Sequence, residues 1–169
     1  NFTEYEDRMR YIRWVIGLIF LSLSAASLHY TLPQTDIVRI TNTYEKRIDF
    51  RGNELFWVDG SRDDTGKLLS RDIFFIEAFT VDDQPMVYRN EDTGWNWPPY
   101  FKFDTSNLQA QASNAKRQSD MAGPHWVAIK HYGWRSEFFS IWPNAVSIKP
   151  VSAPDVQWIP WLNIFLLLL

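Results

Sequence analysis

The chain has 169 residues, which is enough for one domain with its own core and leaves little room for a second. Lys plus Arg number 17 and Asp plus Glu number 20, and this net charge of −3 argues against a nucleic-acid binder, which needs a basic excess. The absence of cysteine excludes a disulfide scaffold, a thiolate metal site and a cysteine nucleophile. At 46% hydrophobic and 22% charged residues, the chain is not intrinsically disordered.

The N-terminal region combines a charged tail, residues 1–13, with an apolar stretch, residues 14–32, that contains no Asp, Glu, Lys or Arg. At about 1.5 Å per residue this stretch spans roughly 28 Å, close to the hydrocarbon core of a bilayer. We therefore predict a transmembrane helix over 14–32, ended by Pro33. A cleaved signal peptide is the alternative, since a charged start, an apolar centre and the small residues of 24–27 are also typical of one.

Four residues of this helix are candidates for contact with neighbours. Ser22, Ala25 and Ala26 are small enough to let another helix approach closely. His29 lies one turn after Ala25 on the same face, which is how light-harvesting polypeptides seat a bacteriochlorophyll with its magnesium on the imidazole. Because His29 is only four residues before Pro33, an interfacial polar histidine is the favoured interpretation. Apart from that pigment, we expect no cofactor and no metal.

The C-terminal segment, residues 158–169, begins with Trp158 and Trp161 and continues into an aliphatic run. Tryptophan is enriched at membrane interfaces, so we predict an interfacial segment and the start of a second membrane helix. Crossing a bilayer needs about 20 apolar residues, more than the run supplies, which suggests a section of a longer chain. The alternative is a short hydrophobic tail that dips into the interface.

The middle of the chain, residues 33–157, is predicted to be a β-rich domain. Apolar and polar residues alternate in strand-length runs bounded by turn residues. The predicted strands are 36–41, 71–80 with its return 86–89 after a turn at 82–85, 126–132, 137–142 and 145–151. The fold class that follows is a membrane-anchored α+β protein with a β-rich extramembrane domain.

One helix is predicted inside this domain, from the capping residue Asp104 to the cations Lys116 and Arg117, which would complement the helix dipole. Its apolar stripe is narrow and consists of Leu108, Ala112 and Ala115. A stripe of this width predicts a helix on the surface of the domain. Residues 60–66 read as a polar loop.

Several segments resemble an uncharacterised alphaproteobacterial membrane-protein family, a domain of unknown function. They are the tryptophan-rich run 87–104, His131 to Arg135, Ser140 to Ala145, Ile159 to Asn163, and the helix exit His29 to Gln34. The resemblance covers about residues 28 to 163. It implies a domain on the periplasmic side of the inner membrane between two membrane helices. It implies no activity.

Catalytic signatures are scarce, so we do not expect an enzyme. The sequence has no nucleophile elbow, phosphate-binding glycine loop or His-Glu-x-x-His motif. In one strand, His125 and His131 would be about 20 Å apart, too far for one metal, and are read as ordinary polar histidines. Glu91 with Asp104 could supply the acid and base of a hydrolase. The run 90–94 equally has the composition of a tight turn closed by Asx side chains.

Aromatic residues carry the functional hypothesis, because 9 Trp, 7 Tyr and 12 Phe exceed what a small core needs. The predicted partner-docking residues are Trp95, Trp97, Pro98, Pro99, Tyr100, Trp134 and Trp142. The leading hypothesis is a non-enzymatic accessory or stabilising subunit of a larger integral membrane complex, with a photosynthetic or respiratory, energy-transducing complex as the suggested partner. The alternative is an envelope module that binds glycan or peptide, and a hydrolase is the third reading.

Overall fold

The computed structural model describes residues 2–48, 71–156 and 158–168. Its contacts divide the chain into two units, Asn1–Leu32 and Pro33–Leu169. The polar loop predicted at 60–66, with Asp63 and Asp64, lies outside the described residues.

The first unit is a single helix, α1, from Phe2 to Thr31, which takes in both the tail and the apolar stretch. Its segment Arg8–Thr31 is long and apolar enough to cross a membrane by length and composition, although a signal sequence passes the same test. Large apolar side chains are exposed along the helix, from Tyr11 to Leu28. The helix ends before Pro33, whose missing N–H and fixed φ are incompatible with its continuation.

The second unit is built on a five-stranded β-barrel. Its elements are β1 (Gln34–Ile48), β2 (Arg71–Thr80), β3 (Pro85–Asn90), α2 (Thr105–Ala122), β4 (Trp126–Tyr132), β5 (Asn144–Pro150) and α3 (Trp161–Leu168). The barrel closes in the order β1-β2-β3-β5-β4. The β3–β5 pair is parallel and the other pairs are antiparallel. This order, with a helix between β3 and β4, is that of the OB-type Greek-key barrel. The β-rich domain predicted from the sequence is confirmed.

The strand β1 closes the barrel because it is long enough to pair with two neighbours. Its first half pairs with β4 and its second half with β2, with a register irregularity between Ile40 and Asn42. The sequence predicted only 36–41, since the run Glu45 to Arg47 breaks the alternation with exposed charges. A bulge of this kind increases the local twist, which helps a short sheet to curl shut.

The barrel interior is apolar and is covered by α2. Val38, Ile76 and Ile129 are fully buried and belong to the same cluster as the stripe of α2. The three predicted stripe residues are buried, and the rest of α2 faces outward, as expected for a surface helix. Asp104 caps the helix through Oδ1, which accepts a hydrogen bond from the backbone N–H of Asn107 at 2.9 Å.

Two local predictions are wrong. The helix α2 continues five residues past Arg117 to Ala122, so the predicted cations do not occupy its last turn, and Lys116 instead pairs with Asp120 at 2.5 Å. The segment 137–142 is not a strand but a turn closed by a bridge between Ser136 and Ile141. Its sequence places two adjacent aromatic residues on the outside, which does not follow the period of a strand.

Candidate functional site

A projecting loop between β3 and α2 carries most of the predicted docking residues. At its neck the backbone N–H groups of Thr93 and Gly94 donate to the carbonyl oxygen of Lys102, each at 3.0 Å. The N–H of Lys102 donates back to Thr93 Oγ1 at 3.1 Å. These bonds hold the two ends of the loop together, so residues 93–103, here called the aromatic loop, form a compact lobe.

Four large rings lie on the outside of this loop. Trp95 is 81% exposed, Trp97 is 74% exposed, and Phe101 and Phe103 are each 54% exposed. The ring of Trp95 meets Phe101 and Phe103 edge to face, at centroid distances of 5.4 and 5.7 Å. Trp95, Phe101 and Phe103 therefore support one another while remaining accessible, and together with the exposed Trp97 they are here called the aromatic surface.

The backbone of the aromatic loop is strained at one residue with a side chain, Phe101. Phe101 has φ = 51°, in the left-handed region, which costs a residue with a side chain about 1–2 kcal/mol. Gly94 adopts φ = 54° without that cost because it has no Cβ. The peptide bond between Trp97 and Pro98 is cis. A strained, exposed Phe persists only where surrounding contacts hold it, and such strain clusters at functional sites.

Two of the predicted docking residues support the loop from within. Pro98 is buried, and Tyr100 is half-buried with its ring stacked on Tyr132 of β4 at 4.8 Å and 12°. Burial raises the pKa of Tyr100, and the neighbouring Tyr132 adds to the effect. Trp95, Trp97 and Pro99 are the members of this run that face solvent.

Asn144, at the start of β5, is the hub that ties the loop to the barrel. It is fully buried. Its Oδ1 accepts from the N–H of Glu91 at 2.9 Å, and its Nδ2 donates to the carbonyl of Glu91 and to the hydroxyl of Tyr132, both at 3.1 Å. One amide thus satisfies both backbone groups of Glu91, where β3 gives way to the loop.

The carboxylates considered as acid and base both have structural partners. Glu91 is 7% exposed and lies 2.9 Å from the guanidinium of Arg89, itself 2% exposed. Asp104 is the N-cap of α2. The side chain of Asn90 bonds to Lys102, Gln109 and the carbonyl of Thr105 rather than closing a local turn.

Lys102 is a buried amine that sequence reasoning did not single out. It is 8% exposed, and its Nζ donates to Asn90 Oδ1 at 2.5 Å and to the carbonyl of Ala145 at 2.7 Å. Burial lowers its pKa to about 7; Asp92 opposes this shift and Arg89 adds to it. A neutral amine retains two N–H groups for these two acceptors, so the loop stays satisfied when Lys102 loses its proton.

A cleft of about 400 Å³ lies beside the aromatic loop. Its polar lining includes Asp72, Asn90, Glu91, Asp92, Thr93 and Asn96. The cleft therefore offers carboxylates, amides and a hydroxyl next to the loop that carries the rings.

A second group of aromatic residues lies on the β4–β5 connection and consists of Trp134, Phe138, Phe139 and Trp142. Some of its side chains are half-buried and others are exposed. Trp142 is half-buried, packs edge-on against Phe75 at 5.3 Å and lies under the guanidinium of Arg135 at 5.7 Å. It belongs to a small second core on the outside of β1 and β2. Trp134 is also half-buried, whereas Phe138 is 90% exposed. The most exposed ring of this group is therefore that of Phe138, and not that of Trp134 or Trp142, the two residues predicted from the sequence to dock a partner.

Sequence reasoning missed a polar cluster in the barrel wall. Tyr88 donates to Asp36 Oδ2 at 2.6 Å, and His131 Nε2 lies 2.9 Å from the same oxygen, without hydrogen-bond alignment. Burial raises the pKa of Tyr88 and would raise that of Asp36, but contacts with His131 and Tyr88 lower the pKa of Asp36 overall. His131 is therefore a buried wall residue. His125 precedes β4 and lies outside that strand.

The residues proposed for helix packing share one face of α1. Ser22, Ala25, Ala26 and His29 are spaced three and four apart in a continuous helix, which places them along one stripe. Ser22, Ala25 and His29 are exposed within that unit, and Ala26 is half-buried. This face of α1 therefore carries small side chains, followed by the imidazole of His29 near the end of the helix.

Together, these features define an OB-type barrel domain that displays a rigid aromatic loop and follows an apolar helix. The chain belongs to the family described as "Protein of unknown function (DUF1523)", whose model matches residues 9–169. An uncharacterized protein of Haemophilus influenzae (strain Rd) is 35% identical over 164 residues, which cover 94% of this chain and 87% of the relative. No solved structure matches the chain.

Proposed function

We propose that this protein is a non-enzymatic accessory subunit, anchored in the inner membrane by α1, whose aromatic surface docks onto a larger integral membrane protein. The barrel then lies on the periplasmic side. The observation that carries the proposal is the exposure of four large rings on a loop whose two ends are hydrogen-bonded to each other. Contiguous exposed apolar surface of this kind marks interaction sites on soluble domains.

The energetics favour a protein partner. Burying a Trp or Phe ring removes about 150–250 Å² from water, and Trp is enriched among residues that dominate binding energy. The neck of the loop and the Asn144 hub fix the backbone before binding, so little further ordering is needed. A preorganised loop of this kind loses less free energy on association than a mobile one.

Retention of the anchor is supported by the continuity of the chain. The small residues that resemble a cleavage site, 24–27, lie inside α1, and only Leu32 and Pro33 separate the helix from β1. A signal peptidase would have to cut within a helical turn close to a barrel strand. Apolar side chains exposed around α1 fit lipid or neighbouring helices better than water.

The partner class is proposed from the resemblance and from the helix face. A photosynthetic or respiratory complex offers membrane helices against which Ser22, Ala25 and Ala26 could pack. A photosynthetic partner would also give His29 a pigment to contact, whereas a respiratory partner would leave it at the lipid interface. The second membrane helix, starting within residues 158–169, belongs to the same proposal.

The decisive experiment is co-purification from native membranes in a mild detergent. The wild-type chain should migrate with a high-mass complex, and the double variant Trp95→Ala/Trp97→Ala should migrate apart from it. Phe138→Ala is the matched control, because it removes one highly exposed ring from the other loop. A double variant that still migrates with the complex, or a wild type that migrates alone, would contradict the proposal.

The polar cleft beside the aromatic loop favours a second candidate, an envelope module for glycan or peptide. Its carboxylates and amides could bind hydroxyl groups while Trp95 stacks on a sugar face. In that case Asn96→Ala would weaken ligand binding as much as Trp95→Ala, and both variants would leave any co-purifying complex intact. A hydrolase would instead lose turnover in Glu91→Gln and Asp104→Asn, with folding retained.

A further inference from the structure

A second surface, on the outer face of β1, β4 and β5, has the chemistry of an anion site. Thr35 of β1 pairs in register with Lys130 of β4, and Lys130 pairs with Ser147 of β5. Lys149 pairs with Ala128, so the two lysines lie on the same outer face two residues apart along their strands. Together with Trp158 these residues line a cavity of about 150 Å³, here called the lysine groove.

Apart from Ala128, the residues that line the groove have side-chain hydrogen-bond donors, and none of them is a carboxylate. Two ammonium groups, two hydroxyls and an indole N–H can all donate to an anion. In the described part of the chain neither Lys130 nor Lys149 forms an ion pair within the barrel unit. Among the described residues no carboxylate neutralises either lysine, which leaves both positive charges available for a phosphate.

The C-terminal apolar helix α3 contacts the first residue of the barrel unit, close to this groove. Asn163, in α3, donates through Nδ2 to the carbonyl oxygen of Pro33 at 2.8 Å. Pro33 follows α1 after a single residue, so the chain from Thr31 to Thr35 can span at most about 14 Å. A neighbouring cavity of about 310 Å³ is shared by Thr35 and Lys130 with Trp158 and Trp161.

We propose that the lysine groove binds the phosphodiester of an anionic phospholipid, held between Lys130 and Lys149. The inference rests on the anchoring part of the proposed function, because α1 in the bilayer brings Thr35 to headgroup depth. Trp158 and Trp161 are 48% and 70% exposed and would lie at the interface that tryptophan prefers. A lipid rather than free phosphate is chosen because an apolar, tryptophan-lined rim continues from the groove.

The test uses the full chain reconstituted in nanodiscs of phosphatidylcholine with and without phosphatidylglycerol. Lipids retained after transfer to mild detergent are counted by native mass spectrometry. We expect phosphatidylglycerol to be retained preferentially, and Lys130→Gln/Lys149→Gln to weaken retention about 30-fold, on the basis of about 1 kcal/mol per basic residue near an anionic surface. Lys46→Gln removes one positive charge from an exposed position of β1 outside the groove and should retain the lipid.

Each other outcome overturns the inference. Equal retention of both lipids, or unchanged retention in the double lysine variant, would show that the groove does not recognise the anionic headgroup. Displacement of the lipid by millimolar inorganic phosphate would assign the groove to free phosphate. Resistance of the same variant to carbonate extraction reports the anchor separately, and co-purification reports docking. A failed lipid site is thereby distinguished from a failed proposed function.

Discussion

The barrel interior and the aromatic loop are built in opposite ways. Inside the barrel, aliphatic residues such as Ile76 and Ile129 are packed together and the strands satisfy their own backbone groups. At the base of the aromatic loop the buried groups are polar, with Lys102 and the hub Asn144 of β5, and large rings of the loop face solvent. The barrel is organised to exclude water, whereas the loop is organised to hold a defined shape in water.

This difference indicates that the aromatic loop, and not the barrel interior, contains structure that is costly in stability and is explained by function. A loop that only connected β3 to α2 could be held by aliphatic packing and would not need buried polar groups. The buried amide of Asn144, the buried amine of Lys102 and the left-handed backbone of Phe101 each cost folding free energy. That cost is compensated only when the loop adopts one defined conformation. We therefore expect substitutions in the loop interior to change both stability and docking, and substitutions in the barrel to change stability alone.

The largest effect is expected for Asn144→Ala. The change removes the partners of the Glu91 N–H, the Glu91 carbonyl and the Tyr132 hydroxyl, at about 1–3 kcal/mol for each unsatisfied buried group. We predict a loss of about 3–5 kcal/mol in the free energy of unfolding, measured by denaturant titration in detergent. Asn96→Ala, at an exposed position of the aromatic loop, should change the free energy of unfolding by less than about 0.5 kcal/mol. A loss below about 1 kcal/mol for Asn144→Ala would contradict the role of Asn144 in holding the loop to the barrel.

Lys102 should make stability depend on pH. Its pKa falls from an ordinary value of 10.5 to about 7 in the folded protein, so between these values the unfolded chain binds more protons. Stability therefore rises with pH in this window, by about 3 kcal/mol from pH 7 to pH 9.5. The rise should disappear in Lys102→Met and persist in Lys46→Met. A flat wild-type profile would show that the amine is not held neutral.

A barrel substitution provides the converse test. Ile76 is fully buried in the main core, and Ile76→Val should cost about 0.5–1.5 kcal/mol. Because the loop is held by its own polar contacts, co-purification of the folded variant with a partner should equal that of the wild type. Loss of docking at unchanged folding would mean that the two regions are coupled.

The smallest expected effect is a difference in stability between Phe101→Gly and Phe101→Ala, in which Gly is the more stable. At most positions Gly is less stable than Ala by about 0.5–1 kcal/mol, but Phe101 has φ = 51°. Phe101→Gly should therefore be more stable than Phe101→Ala by about 1 kcal/mol in thermal or denaturant unfolding. Both variants lose the ring that meets Trp95 and should dock equally weakly. Ala more stable than Gly would contradict the left-handed conformation.

The sequence predicted most strands and the helix because they follow local periodicity. The strands 71–80 and 126–132 are confirmed as drawn, since alternation and flanking turn residues define them. The barrel closure was not predictable, because it depends on β1 pairing with two strands far apart in the chain. The aromatic run was recognisable, but which rings face solvent depends on the neck contacts between Thr93 and Lys102. The burial of Lys102 could not be predicted, because nothing in the local sequence distinguishes it from an exposed lysine.

The central claim, that the aromatic surface meets a membrane partner, is tested most directly by site-specific photocrosslinking in native membranes. A photoreactive residue at Trp97 should give one discrete adduct with an integral membrane protein, and the adduct should disappear when Trp95→Ala is added. The same probe at Met121, which is 78% exposed on α2, should give none. Equal adducts from both positions, or none from Trp97, would contradict the claim.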